Sequence, residues 1–239
     1  MISIAALPSL VVINVDVNTI ASAAVIHYRP MRMADVGRAP IDCQGTEDEV
    51  RARIAALGAS AILAFDGEQH VGQLQFRRYD PALRSPAGIM DPLYWGDFGQ
   101  ASVPSLPPGT LNLFCYHVGQ LEAGDARDSR YHGRGIGVAL LEEFVSWADA
   151  AGVEATVAKA VPPFRPLGVF MGGHPASIYE DSGFETVARW CDRDLRDRLP
   201  NVLAGEHGDG VAAALRDLCD QGFTLDELAE VAMVVRRRL

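Results

Sequence analysis

Four cysteines in 239 residues, Cys43, Cys115, Cys191 and Cys219, stand apart with no CxxC pair among them. Such spacing offers neither a zinc ribbon nor a disulfide framework, and it suits a reducing cytoplasm. The six histidines show neither HxxxH nor HExxH, so no metal site is expected. Basic charge is also short: 21 Lys and Arg against 31 Asp and Glu give a formal net charge of −10. A chain of that sign lacks the basic stripe that a phosphate backbone needs, which argues against nucleic acid as a partner. It suits a cationic acceptor such as an amine, by electrostatic steering, or simply keeps the protein dispersed. Internal repeats and low-complexity tracts are absent. The apolar residues 1–25 lack a basic leader region and are interrupted by Pro8, Asn14, Asp16 and Asn18. A secretion signal or membrane span fits them poorly, and an N-terminal extension, either an added strand or a few residues from an upstream start codon, fits better.

What remains is a globular composition, 49% hydrophobic and 22% charged, with room for one ordinary domain and appendages. Strand-like and helix-like segments alternate. Residues 24–28 read as a strand. Thr46 and Glu49 form a capping box ahead of Val50, Ile54 and Leu57 at helical spacing. Residues 61–65 and 70–76 read as strands joined at Asp66-Gly67, a hairpin signal. Six prolines punctuate 80–109, with Tyr94, Trp95 and Phe98 among them, which reads as an ordered loop or lid. Residues 110–118 (TLNLFCYHV) form a central strand, and 135–150 a helix with Ile136, Leu140, Phe144 and Ala148 in one stripe. A strand over 154–161, a Pro-rich connection, a short helix over 176–181 and a strand over 184–190 follow. From about residue 193 the pattern reads as a helical tail. It carries a second capping box, Thr224 to Glu227, before Leu228, Val231 and Val235. Residues 221–229 faintly resemble a helix-turn-helix, but a packing or homodimerisation element suits this acidic tail better. Arg236, Arg237 and Arg238 oppose a helix dipole at its end.

The informative segment is Tyr131-His-Gly-Arg-Gly-Ile-Gly-Val-Ala-Leu140, a Gly-rich turn that opens the amphipathic helix. Glycines there let the backbone approach a ligand, and the unpaired amides of a helix start attract a pyrophosphate. The segment is neither a GxxxxGK[ST] loop nor a GxGxxG fingerprint. Its company is what counts. A strand precedes it, a strand follows its helix, and Ile178-Tyr179-Glu180-Asp181-Ser182-Gly183-Phe184-Glu185 comes later.

In these two motifs, over residues 26–192, the chain resembles the GNAT (GCN5-related N-acetyltransferase) superfamily. That family carries [QR]-x-x-G-x-[GA] where its main helix begins and Y-x-x-x-G-F at the end of a late short helix. The resemblance implies an α/β fold, with a mixed, mostly antiparallel seven-stranded sheet flanked by helices and followed here by the 193–239 helical tail. It implies a pyrophosphate site on the backbone of His132, Gly133, Arg134, Gly135, Ile136 and Gly137. A frame on Arg130, Gly133 and Gly135 also satisfies the pattern. The pantetheine arm would pair near His117 and Val118, where that strand splays from the next. Tyr179 matches the tyrosine that serves the coenzyme A sulfur. Gly172 and Pro175 stand where the family often has Asn and Ala.

His117 is the candidate base and His174 a weaker one; Cys115 could carry a covalent acyl-enzyme but reads better as a small apolar residue. Asp91, Trp95 and Asp97 in the Pro-rich loop are candidate acceptor contacts, by charge and cation–π attraction. The expected activity is transfer of an acetyl group from acetyl-CoA, as co-substrate and without a metal, to a small-molecule or peptide amine in a ternary complex. Two rivals are a non-catalytic acyl-CoA-binding module acting through its tail, and an enzyme using a longer acyl chain or a hydroxyl acceptor.

Overall fold

The structure, a computed structural model, describes residues 25–38, 45–80, 104–121, 127–206 and 208–238. Seven strands form one sheet in the order β1-β2-β3-β4-β5-β7-β6. They are β1 (Ile26–Pro30), β2 (Ala61–Asp66), β3 (Gln69–Arg78), β4 (Leu111–Val118), β5 (Ala155–Ala160), β6 (Glu185–Cys191) and β7 (Glu230–Arg237). Every neighbouring pair is antiparallel except β4 and β5. The expected mixed, mostly antiparallel sheet is therefore present.

Helix α1 (Glu47–Leu57) starts as its sequence demands. The Thr46 hydroxyl accepts from the Glu49 amide at 3.3 Å and the Glu49 carboxylate accepts from the Thr46 amide at 2.7 Å. Its buried Val50 and Ile54 meet Met31, Val36 and Leu63 on one face of the sheet. Helix α2 (Ile136–Ala150) covers the other face. Leu140, Leu141 and Phe144 are fully buried there against Ile62, Leu74, Phe76 and Leu113. Each such side chain contributes roughly 1.5–3 kcal/mol of burial.

Two features position the site. First, β4 pairs with β5 only at Leu111–Leu113 against Thr156–Ala158, after which the strands part. Second, a bulge at Phe114 shifts the β3–β4 register. Beyond it Tyr116 and Val118 face α2, while Cys115 and His117 face the opposite side.

The connection after β5, read as a Pro-rich loop, contains a helix, α3 (Arg165–Met171), with proline in its first turn, where no amide donor is missed. Gly172 closes it in the left-handed region at φ 63°, and Pro175 is the N-cap of α4 (Ala176–Asp181).

The C-terminal segment departs from expectation. It is helical in α5 (Arg193–Leu203), α6 (Asp209–Asp220) and the single turn α7 (Leu225–Leu228), and the Thr224–Glu227 capping box forms. It then ends in β7, which lies between β5 and β6. Val231, Met233, Val234 and Val235 are buried in the sheet, so the tail is an insertion between two paired strands. Nor does Arg236 cap a helix: it forms a two-pronged ion pair with Asp149 at the end of α2, at 2.7 and 2.8 Å. The three helices bury a second core, Leu195, Leu199, Val202, Leu215 and Leu228, against Val161, Leu167 and Met171. Residues 1–24 of the expected N-terminal extension lie outside the described residues.

Candidate active site

Gly135 is the N-cap of α2, at φ 75°, and Gly133 before it has φ 70°. Both values lie in the left-handed region that only glycine enters without strain. The first helical hydrogen bond runs from the Ala139 amide to the Gly135 carbonyl, at 3.0 Å. The amides of Ile136, Gly137 and Val138 consequently have no partner within the helix, and Gly135 has no side chain to supply one. No acidic residue sits in this first turn. The other long helices are different: α1, α5 and α6 all carry Asp or Glu in theirs. Among the described helices of that length, α2 is the one whose positive end its own side chains leave uncompensated.

This helix start opens into a cleft of about 430 Å³. Its floor is Tyr116 and Val118 of β4, its near wall His132, Gly133, Gly135 and Gly137, and its far wall Gly168, Gly172 and Gly173 after β5. The described charged residues lining it are Arg127 and Arg165, both cationic in a chain of net charge −10. The far wall is held by the parting of the strands: the Val161 amide donates to the His174 carbonyl at 3.0 Å, so residues 172–175 run beside the end of β5. That strap brings the His174 ring over the first turn of α2. A Cβ on Gly137 would lie 2.9 Å from its Cε1 and Nε2, so any larger residue there would push the ring aside.

His174 packs edge-on to Tyr116, with ring centroids 4.6 Å apart, and lies 6.2 Å from Tyr179, which in turn meets Phe184 at 5.4 Å. Burial lowers the His174 pKa, so the ring is neutral near pH 7. Tyr179 is 2% exposed, and burial raises its hydroxyl pKa well above the ordinary value. Tyr116 is raised too, by burial and then by the adjacent Tyr179. At the inner end of the cleft a small cavity of about 20 Å³ lies between the parted strands. Leu113, Phe114, Tyr116, Lys159, Val161 and Tyr179 line it.

The sequence candidates thus fall into four groups. His132, Gly133, Gly135, Ile136, Gly137 and Val118 line the large cleft, and Tyr179 the small cavity. Arg134 is exposed beside the cleft, with its guanidinium 5.7 Å from the Tyr131 ring centroid. Arg130, which anchors the alternative frame, is bound to Asp128 at 2.6–3.1 Å and does not line the cleft. His117 lies on the other face of the sheet, with Nε2 2.9 Å from Cys115 Sγ. Asp91, Trp95 and Asp97 lie outside the described residues. Sequence reasoning missed Lys159, Arg127, Arg165 and the glycine wall, and placed His174 as a base rather than against Gly137.

Among the described residues no group of three or more His, Cys, Asp or Glu is placed to hold a metal ion, and no helix is long and apolar enough to cross a membrane.

No family model and no curated protein matches the chain. It is similar to several solved structures. One is the acetyltransferase of GNAT family from Streptococcus pneumoniae, at 13% identity and TM-score 0.45, over 89% of this chain and 99% of that one. A second is Ard1 from Thermoplasma volcanium, at 11% and 0.42, over 90% and 98%. A third is the GphF GNAT-like decarboxylase in complex with isobutyryl-CoA, at 15% and 0.43, over 88% and 98%. A mixed, mostly antiparallel seven-stranded sheet, parting between β4 and β5 beside a Gly-rich helix start, is the architecture that the resemblance to the GNAT superfamily implied.

Proposed function

We propose that the chain is an acyl-CoA-dependent acyltransferase of GNAT type, passing a short acyl group to an amine. The observation that carries this reading is the cleft itself. It joins an uncompensated helix start, flanked by Arg127 and Arg165, to a gap between parted strands that ends at Tyr179. A pyrophosphate suits the first end, through three amides, the helix dipole and two cations. An extended pantetheine arm suits the middle, because among the described residues no strand pairs with β4 beyond Leu113 on the β5 side.

The inner cavity, about 20 Å³, is water-sized, and the acyl group assigned to it in this reading is acetyl. With the thioester there, the acceptor amine attacks from the face that carries His117. His117 is the base this reading assigns to the ammonium proton. As the tetrahedral adduct collapses, the carbon–sulfur bond breaks, the thiolate takes a proton at Tyr179, and the remaining proton shed by the adduct nitrogen returns to the Tyr179 oxygen. A buried hydroxyl of raised pKa stays protonated until that moment. Direct attack in a ternary complex needs no enzyme-bound intermediate.

Calorimetric titration with acetyl-CoA tests the reading, comparing the wild type with Gly135→Glu. A glutamate there adds strain at positive φ and negative charge at the phosphate end. Saturable binding, weakened at least about tenfold in the variant, is the expected result. An amine screen by free-thiol release then follows. Binding without transfer to any amine would favour the regulatory module. A folded wild type that does not bind acetyl-CoA would remove the acyltransferase reading.

A further inference from the structure

Lysine is nearly missing from this protein. Its basic residues are twenty arginines and one lysine, Lys159. The two cations differ chemically: a guanidinium keeps its proton, whereas a lysine ammonium, held beside a base, can release one and become a nucleophile. The single residue able to do so is not on the surface. Its side chain is 5% exposed and pairs with the Asp192 carboxylate, itself 7% exposed. Lys159 follows Ala158, the last β5 residue paired with β4, and so stands in the wall of the gap. It lines the inner cavity with Tyr116 and Tyr179. That cavity shares Tyr116, Gly172 and Gly173 with the large cleft, so Lys159 stands at the cleft's inner end. Asp192 is anchored as well: its Oδ1 accepts from the Leu195 amide at 3.0 Å, capping α5. A buried ion pair contributes little to stability compared with apolar side chains of the same volume, although breaking one is costly.

Resting on the cleft reading above, we propose that Lys159 is an internal acyl acceptor, the residue on which this protein acylates itself from a bound acyl-CoA. Asp192 takes one proton from the ammonium, and Nζ attacks the thioester carbonyl. The nitrogen–carbon bond forms and the carbon–sulfur bond breaks. The second proton shed by nitrogen goes to the departing sulfur, which leaves as the thiol. The product is a neutral amide and a protonated Asp192, with no net change of charge. The acyl-lysine then occupies the space that the next thioester needs, so the modification shuts the cleft it came from.

The purified full-length protein is incubated with acetyl-CoA alone and followed by intact mass and peptide mapping, with calorimetric binding measured in parallel. With one lysine in the chain, any lysine acylation belongs to one residue, and mapping separates it from the N-terminal amine. We expect one acetyl group on Lys159, added at least about tenfold faster than in the urea-unfolded chain and slowed by excess coenzyme A. Lys159→Arg should bind acetyl-CoA and gain no acetyl group within the fold. Asp192→Asn should bind and react about tenfold more slowly. Saturable binding with Lys159 left unmodified, or modification no faster in the folded chain than in the unfolded one, overturns the inference and leaves the acyltransferase reading standing. Absence of binding removes both.

Discussion

At the scale of single residues, the cofactor turn separates glycines needed for conformation from one needed for space. Gly133 has a positive φ, and a Cβ placed on it would meet nothing within 4 Å, so Gly133→Ala costs only the left-handed strain, about 1–2 kcal/mol. Gly137 is helical, yet its Cβ would strike the His174 ring at 2.9 Å. Gly137→Ala should therefore displace that ring from Tyr116, destabilise the fold by about 1–3 kcal/mol and weaken acetyl-CoA binding. Denaturant unfolding and titration of the two variants check this, and equal binding losses would contradict it. The glycine spacing is legible in the sequence because the turn is local. The His174 contact is not, since the strap beside β5 delivers it. A second residue-scale consequence concerns His70, which burial and then the neighbouring His117 lower to a pKa of about 4. A neutral buried histidine binds fewer protons than its unfolded counterpart, so its contribution is full above about pH 6.5 and fades as pH falls towards 4. By pH 5 the loss is about 2 kcal/mol. Wild type compared with His70→Gln, by urea unfolding at pH 7 and 5, should show the wild type losing that much more. Parallel losses would mean that His70 is already solvated.

At the scale of elements, β7 shows why a strand reads as part of a helical tail. Leu228, Val231 and Val235 fall at helical spacing, but the two valines belong to Glu230–Arg237, whose central run is buried on both faces of the sheet. A strand covered on both faces shows no alternation, so period alone does not distinguish it from a helix. The β-branched valines are the better signal. The local elements, by contrast, are legible: both Thr–Glu capping boxes form where their spacing puts them, and the α2 stripe is buried as its periodicity requires. Because β7 joins β5 to β6, ending the chain after Ala229 would leave both strands with exposed edges and strip Met233 and Val235 from the core around Val157. We expect that truncation to abolish cooperative thermal unfolding. A merely appended tail would leave the transition intact.

At the scale of the whole molecule, two electrostatic fields of opposite sign act on an acyl-CoA. The net charge of −10 repels a polyanion at long range, whereas Arg127, Arg165 and the α2 amides attract it at the cleft. Composition averages over the surface, so the sequence reveals the first field, which suits a cationic acceptor, and hides the second. Salt acts on both, since the Debye length is about 10 Å at 0.1 M. In the wild type, added salt weakens the local attraction and relieves the long-range repulsion, and the two effects oppose each other. In Arg127→Ala/Arg165→Ala the local attraction falls, by about 1 kcal/mol for exposed cations, and the long-range repulsion grows, because losing two cations takes the net charge from −10 to −12. Binding of acetyl-CoA by the double variant should then be several-fold weaker at low salt and grow tighter as salt rises towards about 0.3 M, converging on the wild type. Calorimetric titrations across that range check the sign of the slope. If the double variant instead shows the same salt dependence as the wild type, the two arginines face the cleft without meeting the phosphates, and the amides of the α2 start must carry the anion alone.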